Sequence, residues 1–203
     1  MESANIHSGI FMNGQVVLYR DQLVYSSEIP TETVEKFHQM VKEDGYGLTA
    51  YNDKQFYLVA SSPGAKDAYG FIHSNPPALN PDFYKENPIN MMLFISLPPA
   101  EEKYKVAFPN LDFLRNTPYS VDVISKGNSK AEGIKRFLEH LNQEDAKTYA
   151  FGDGPNDIEM LQAVSHPVAM GNALPILKEI AEYITTDNTD NGIVNGLKHY
   201  GLI

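Results

Sequence analysis

The most chemically suggestive stretch of the sequence is FGDGPNDIEML, residues 151–161, which places Asp153 and Asp157 close together directly after an apolar run. The preceding letters KTYAFG predict a short buried strand, and the apolar spacing of Ile158 and Leu161 predicts that a helix follows. The acidic turn therefore lies at the carboxyl end of a strand, where open α/β sheets bind their ligands. Two carboxylates there suggest a hard cation with oxygen ligands.

A purely structural interpretation of the same turn needs no ligand. Gly, Pro, Asn and Asp are the usual turn formers, and Asn156 or Asp157 could simply cap the following helix. The position at a strand end favours a ligand site, and the structural alternative stays open.

The spacing of the acidic residues excludes a helix–loop–helix calcium site. Such a loop needs glycine at its sixth position and glutamate at its twelfth. Counted from Asp153, the sixth residue is Ile158; counted from Asp187 in DNTDNG, the sixth is Gly192 but the twelfth is Lys198. Few carboxylates without a dedicated cage fit Mg²⁺ better, because Mg²⁺ keeps waters and shares its shell with phosphate.

A lysine, Lys130, opens the predicted helix SKAEGIKRFLEHL that precedes the acidic strand. Because both features lie at ends of neighbouring β/α units, an ammonium group and a metal could hold opposite sides of one phosphoryl group. A solvated lysine in the first turn of a helix is the alternative.

Composition narrows the classes of function. The 203 residues are 42% hydrophobic and 21% charged, which allows one or two globular domains. The net charge of -10 opposes binding to a nucleic-acid backbone. The sequence has no cysteine, which excludes disulfides and thiolate chemistry and is compatible with a cytoplasmic protein. We find no bilayer-spanning apolar run and no signal peptide in MESANIHSG, so we expect no membrane association.

The order of predicted elements indicates an α/β protein. Asn13-Gly14 and Arg20-Asp21 predict hairpin turns, and GLTAY, QFYLVAS and INMMLFIS predict strands of an antiparallel region. Residues 62–88 are rich in turn formers and predict a long irregular connection or a substrate-facing loop. From Ser129 strands and helices alternate, with a helix predicted over LPILKEIAEYI, and this order predicts a parallel sheet with right-handed crossovers.

Five segments together resemble the Cof-type branch of the haloacid dehalogenase-like (HAD) phosphatases: FMNGQVVLYRDQLVY, SKGNSKAEGIKRFLEHL, YAFGDGPNDIEML, PVAMGNA and TTDNTDNGIV. The resemblance implies an incomplete Rossmann-like parallel-sheet core with an inserted α/β cap. It places a core strand segment in residues 1–19, the cap in 20–118, and the metal and phosphate loops of the core in 119–203.

The resemblance also implies roles for individual residues. Lys130 matches the catalytic, phosphate-binding lysine that steadies the phosphoaspartyl intermediate, and Asn156 matches the phosphate-binding asparagine. Asp153 matches the metal-ligating aspartate, with Asp157 as the second metal carboxylate, directly or through water. Mg²⁺ is the implied cofactor.

Other matching positions carry weaker implications. Gly152 and Gly154 would let the backbone turn tightly enough to aim the acidic groups. Lys126, Asn172 and Asp187 also match, but a solvated lysine, a helix cap and a turn former are the favoured explanations for these three.

The sequence departs from the family pattern in one respect. Members use an Asp-x-Asp motif whose first aspartate is the nucleophile, whereas Asp21 is the first aspartate here and lacks a partner two positions later. Relative to the family, the chain is expected to lack about two β/α units, or about 60 residues. A phosphoaspartate cannot form without that nucleophile.

These observations predict a Mg²⁺-dependent phosphatase of small phosphorylated metabolites such as sugar phosphates, inactive as the isolated chain. The alternative is a non-catalytic remnant that binds a phosphorylated ligand or a protein partner. Because missing strands would expose sheet edges, we expect a homodimer or a separately encoded N-terminal fragment as partner. We expect no nucleic acid and no membrane as partner.

Overall fold

The computed structural model describes residues 7–203 and divides the chain into two compact units, Met1–Asn128 and Ser129–Ile203. The first six residues of the predicted segment 1–19, and with them most of the sequence assessed for a signal peptide, lie outside the described residues. Within the described part of the chain, every helix is too short or too polar to cross a membrane.

The first unit contains an antiparallel hairpin region, followed by a region that combines an antiparallel sheet with helices. The strands are β1 Gly9–Phe11, β2 Val16–Tyr19, β3 Gln22–Ser26, β4 Gly47–Tyr51, β5 Phe56–Ala60, β6 Met91–Ile95, β7 Leu111–Thr117 and β8 Ser120–Ser125. The helices are α1 Thr31–Glu43, α2 Ala65–Phe71, α3 Phe83–Glu86 and α4 Glu101–Ala107.

The first three strands form a meander in the order β1-β2-β3, with antiparallel pairing throughout. Asn13 and Gly14 have φ of 54° and 91°, and Arg20 and Asp21 have φ of 50° and 62°. These left-handed conformations suit Gly, Asn and Asp, so both predicted turns form where the sequence indicates them.

The larger sheet of this unit has the order β5-β4-β6-β8-β7, and all its neighbours are antiparallel. One face packs on α1, α3 and α4 around an aromatic cluster in which Phe37, Phe94 and Tyr104 are each fully buried. The other face packs on α2 through Leu58, Ile95 and residues of that helix. Alternating strand residues thus supply two cores.

The second unit is built from alternating helices and parallel strands. Its elements are α5 Lys130–Leu141, β9 Tyr149–Gly152, α6 Ile158–Ala163, β10 His166–Ala169, α7 Pro175–Ile180, β11 Tyr183–Ile184 and α8 Gly192–His199. The strands pair in parallel in the order β11-β10-β9, with Phe151 opposite Val168 and Val168 opposite Tyr183. Leu161 and Leu177 are buried in the core between helices and sheet.

The predicted α/β fold class is confirmed, with a parallel sheet in one unit and an antiparallel sheet with helices in the other. The division falls after Asn128, whereas the predicted boundary between 118 and 119 lies within the hairpin of β7 and β8. Those two strands pair with each other, and β8 also pairs with β6. This pairing keeps residues 120–125 in the first unit.

Two predictions of local structure are wrong. The helix predicted over residues 174–184 ends at Ile180, because Ala181 turns extended and Tyr183–Ile184 pairs with β10 instead. Residues 62–88 are not wholly irregular, since they contain α2 and α3. In both segments tertiary packing determines the outcome more strongly than local composition.

Candidate functional site

The loops that follow β9, β10 and β11 lie at one edge of the parallel sheet of the second unit. They carry Asp153, Asn172 and Asp187 respectively. Because the strands are parallel, their carboxyl ends share this edge, and polar side chains separated by many residues in sequence come together. The amide of Leu174 donates to the carbonyl oxygen of Asp153 at 3.2 Å, which ties two of these loops together.

Asp157 is the central carboxylate of the site and is only 5% exposed. Its Oδ2 accepts hydrogen bonds from the backbone amides of Asp153 and Gly154 at 3.0 and 3.1 Å. Its Oδ1 accepts from the Lys130 ammonium group at 2.5 Å. One buried carboxylate therefore closes the acidic loop and holds a cation from a different helix.

The helix α5 begins at the position that makes this ion pair possible. Ser129 is extended, with φ of -152°, and its hydroxyl accepts from the amide of Glu132 at 3.3 Å, as an N-cap does. Lys130 is then the first helical residue, and its side chain is 32% exposed. Among residues 7–203 Asp157 is its only hydrogen-bonding partner, so two of its three N–H groups remain available to a ligand.

Asp153 presents the exposed carboxylate of the site. Its Oδ2 accepts from the side-chain amide of Asn172 at 2.9 Å, and the Asn172 carbonyl oxygen accepts from the Asn188 amide at 3.1 Å. Within the described residues the other carboxylate oxygen of Asp153 accepts no hydrogen bond. Asn172 thus orients Asp153 while leaving one oxygen for a ligand.

Glycine is required at two points where chain segments approach closely. A Cβ atom on Gly152 would lie 2.7 Å from the Cβ of Asp157, and one on Gly171 would lie 2.7 Å from the backbone nitrogen of Asp187. Both distances are below any normal contact, so a side chain at either position would push the loops apart. Because Gly152 has no side chain, the Asp157 side chain can pack against the acidic turn.

The structure brings together most of the residues predicted for the site. Lys130, Asp153 and Asp157 are linked by hydrogen bonds, and Asn172, whose assignment to the site from sequence was weak, also joins them. Asn156 is half-buried in the same loop; its Oδ1 lies 3.1 Å from the position a Cβ would take on Gly154.

Asp187 and Lys126 are two further residues that the sequence supports only weakly as site residues, and the structure places them in different surroundings. Asp187 approaches Gly171 at the end of the neighbouring loop. Lys126 belongs to the first unit, where its ammonium group donates to the carbonyl oxygen of Pro109 at 3.5 Å.

The oxygen ligands that this site offers to a divalent cation are few. In residues 7–203 no group of three or more His, Cys, Asp or Glu side chains is arranged to enclose a metal. Both oxygens of Asp157 already accept hydrogen bonds, whereas Asp153 has an exposed oxygen to offer. One carboxylate with open solvent around it fits Mg²⁺, which retains several waters, better than Ca²⁺, which needs six to eight protein or water oxygens at about 2.3–2.6 Å.

Charge and geometry together define what the site can do. The Lys130–Asp157 pair contributes no net charge, and Asp153 contributes one negative charge at the rim. An ammonium group with unused protons and a carboxylate able to hold a cation can converge on a phosphate group from two sides.

The comparisons with known proteins agree with this geometry. A profile of the family described as haloacid dehalogenase-like hydrolase matches residues 1–197. The chain belongs to the haloacid dehalogenase-like hydrolase family. A protein of Bacillus subtilis (strain 168) named "Putative phosphatase YkrA" is 36% identical over 204 residues, covering 100% of this chain and 79% of that protein.

Solved structures of family members share the architecture. A protein from Geobacillus kaustophilus HTA426 superposes with a TM-score of 0.89 at 32% identity, over 100% of this chain and 79% of that one. The HAD subclass IIB sugar phosphatase BT4131 superposes with a TM-score of 0.85 at 27% identity, over 100% of this chain and 78% of that one. The family resemblance predicted from the sequence is therefore confirmed.

Proposed function

We propose that this HAD-family chain forms the phosphate- and metal-binding part of a Mg²⁺-dependent phosphatase for small phosphorylated metabolites such as sugar phosphates. The observation that carries the proposal is the hydrogen-bonded series from Lys130 through Asp157 to Asp153 and Asn172 at the carboxyl edge of the parallel sheet. The sugar phosphatase among its structural neighbours supports this class of substrate. A cytoplasmic location belongs to the same proposal.

Each residue of the series has a separate role in this proposal. The Lys130 ammonium group donates its remaining N–H groups to the phosphate oxygens, and Asn156 adds a further contact to the phosphate. Asp153 is the protein ligand of Mg²⁺, which when bound neutralises the negative charge of the phosphoryl group. Asp157 positions Lys130 and the loop, because its own oxygens are engaged by them.

The proposal includes a limit on turnover by these 203 residues. The sequence contains no Asp-x-Asp, and its first aspartate, Asp21, lies in the turn after β2, where its carboxylate pairs with the imidazole of His7 at 2.7 Å. Lys130 and a metal can stabilise charge but supply no nucleophile. We therefore assign the attacking aspartate to a segment that these 203 residues do not contain.

A second candidate function follows from the same absence. If no nucleophile is ever supplied, the strand-end loops would serve as a binding module for a phosphorylated metabolite or a protein partner. Binding and turnover can be separated experimentally, because the first needs the cradle alone and the second needs an added group.

The test combines an activity assay with complementation. The purified chain is incubated with p-nitrophenyl phosphate and hexose phosphates in MgCl₂, alone and with the part of YkrA that lies outside its match to this chain. We expect no hydrolysis by the chain alone, and hydrolysis with the added segment that is lost in Lys130→Met.

Two other outcomes would change the assignment. Binding of phosphate, followed by ³¹P NMR, without hydrolysis in any mixture would favour the binding module. Hydrolysis by the chain alone that persists through repurification and disappears in Asp153→Ala would contradict the claim that the nucleophile is absent.

A further inference from the structure

The first unit contains a cavity of about 710 Å³ whose lining includes none of the residues of the candidate site described above. It lies at the end of the five-stranded sheet where β5 and β6 end and β4 and β8 begin, between residues 44–46, 62–67 and 95–104. The link to the second unit follows the opposite end of β8. The volume is that of an ordinary small-molecule site, about 300–1,000 Å³.

Two charged networks hold the walls of this cavity in place. The guanidinium group of Arg115 donates to both carboxylate oxygens of Glu101 at 2.7 and 2.6 Å, and to the carbonyl oxygen of Ser96 at 3.1 Å. Glu101 and Ser96 are each only 6% exposed. These bonds fix the segment that follows β6, so the wall is preformed and a ligand would meet little ordering cost.

The floor is fixed by a second network. Tyr104 is fully buried, and its hydroxyl donates to Asp44 at 2.8 Å. Lys103 donates to both oxygens of the same carboxylate at 2.8 and 2.9 Å. The Lys103 ammonium group beside Asp44 holds the pKa of that carboxyl below its ordinary value, so the two charges neutralise each other at neutral pH.

Most of the remaining surface of the cavity is apolar, and several of its side chains are rings. Tyr46 and Tyr119 line it together with Ile95 and the Pro98-Pro99 pair. Aromatic and prolyl faces of this kind favour a planar ligand that can stack on them. Their arrangement in a cavity of limited size favours a small molecule over a peptide strand.

Charge decides which planar ligands fit. Among the described residues that line the cavity, Lys103 is the only cationic one, and its ammonium group is paired with Asp44, so this lining offers no unpaired cation to a phosphate. Asp67 lies in the lining, is exposed, and makes no hydrogen bond or ion pair with any of residues 7–203. Its carboxylate is the one uncompensated charge of the cavity wall, and it attracts a cation or an N–H donor.

We propose that this cavity is a second binding site, for a small aromatic or heteroaromatic ligand that carries a protonated amine. The ring stacks between the tyrosine and proline faces, and the amine faces Asp67. The site takes a ligand of opposite charge to a phosphorylated substrate, and therefore lies outside the proposed phosphatase chemistry.

The absence of tryptophan from the chain makes a direct test simple. Tryptamine carries an indole ring and an ammonium group, and its fluorescence anisotropy can be followed by exciting at the red edge of the indole band, where the twelve tyrosines absorb little. Indole-3-propionate is the matched probe of opposite charge. We expect a saturable rise for tryptamine and about threefold weaker binding of indole-3-propionate, the size expected for one exposed ionic contact.

Three variants locate the site. Gly64 has φ of -68°, and a Cβ there would meet Ile95 and Ser62 at ordinary distances of 3.7 and 3.8 Å, so Gly64→Leu should fill the cavity without backbone strain. It should abolish tryptamine binding. Asp67→Asn should make the two probes bind equally. Asp53→Asn, at an exposed aspartate in the β4–β5 turn, should change neither affinity.

Each of the following results would overturn the proposal. Absence of saturable tryptamine binding overturns it, as does undiminished binding to a Gly64→Leu protein with an unchanged circular dichroism spectrum. Competition by inorganic phosphate would place the probe in the phosphate cradle and also overturn it. If Gly64→Leu does not fold, equal affinity of the wild-type chain for the two probes overturns the proposal.

Discussion

Replacing Asp157 with asparagine tests whether this carboxylate is structural support or a metal ligand. Asparagine keeps one acceptor oxygen but presents an NH₂ group on the other side. If the oxygen stays on the amides of Asp153 and Gly154, the NH₂ group faces the Lys130 ammonium, and one charge-assisted hydrogen bond is lost. Asp157→Asn therefore removes a bond that nothing else in the loop replaces.

The expected magnitude follows from burial. A hydrogen bond to a charged group contributes about 1.5–3 kcal/mol, and breaking a fully buried ion pair costs about 3–5 kcal/mol. Asp157 has a side chain 8% exposed and Lys130 one 32% exposed, so this pair lies between the buried and the exposed case. We expect Asp157→Asn to lower the free energy of unfolding by about 2–4 kcal/mol.

The matched control is Asp153→Asn, which changes the same atoms at an exposed position. Asparagine there keeps an oxygen that can accept from Asn172 and loses only the exposed charge, so its unfolding free energy should change by less than about 1 kcal/mol. Urea unfolding followed by circular dichroism measures both variants, and a double-mutant cycle with Lys130→Met measures the coupling. Equal stability of the two variants, or no coupling between Lys130 and Asp157, would refute the structural role of Asp157.

Three further predictions concern the first unit and the assembly. Burial lowers the pKa of His38 below its ordinary 6.5, so the unfolded chain takes up a proton at a higher pH than the folded chain, and stability present above pH 6.5 is lost as the pH falls. His38→Gln should flatten this dependence of stability on pH in thermal melts, whereas exposed His73→Asn should not. An unchanged slope in His38→Gln would contradict the burial argument. Arg115→Met leaves buried Glu101 unpaired and should cost about 3–5 kcal/mol in urea unfolding, whereas a loss below about 1 kcal/mol would show that solvent reaches the pair. Light scattering should show self-association through the edges of the parallel sheet, and a strict monomer whose β9 amides exchange as slowly as those of β4 would exclude exposed edges.

The sequence predicted those elements whose local signals agree with their packing. The helix from Lys130 to Leu141 has an N-cap serine, a clear apolar face and a left-handed Asn142 at its end. The hairpin at Asn13-Gly14 has the turn residues that its positive φ values require. In these elements no long-range contact was needed to decide the structure.

The elements that were missed depend on distant partners. Tyr183–Ile184 continues an apolar pattern of helical spacing, and only its pairing with β10 makes it a strand. Strand β7 was not predicted, because residues 111–117 mix apolar and polar letters and its position is fixed by pairing with β8. Local propensity is a weak guide where cross-strand contacts decide.

The sequence predicted most of the residues of the candidate site but not the role of each one. Two aspartates four residues apart look alike in sequence, yet one is buried under the loop and the other is exposed. Burial of Asp157 depends on the close approach allowed by Gly152 and on a lysine 27 residues away. Asn172 became a site residue only when the parallel strands brought its loop beside Asp153.

The most direct test of the phosphate cradle is a two-step NMR titration of the ¹⁵N-labelled chain, first with MgCl₂ and then with inorganic phosphate. Mg²⁺ should bind weakly and shift the amide signals of Asp153 and Asn172, because a single carboxylate leaves most of the shell to water. Phosphate should then shift Lys130 and Asn156 only when Mg²⁺ is present, and Asp153→Asn should remove both responses. Submicromolar Mg²⁺ binding that survives Asp153→Asn, or phosphate shifts confined to other residues, would contradict the assignment of the cradle.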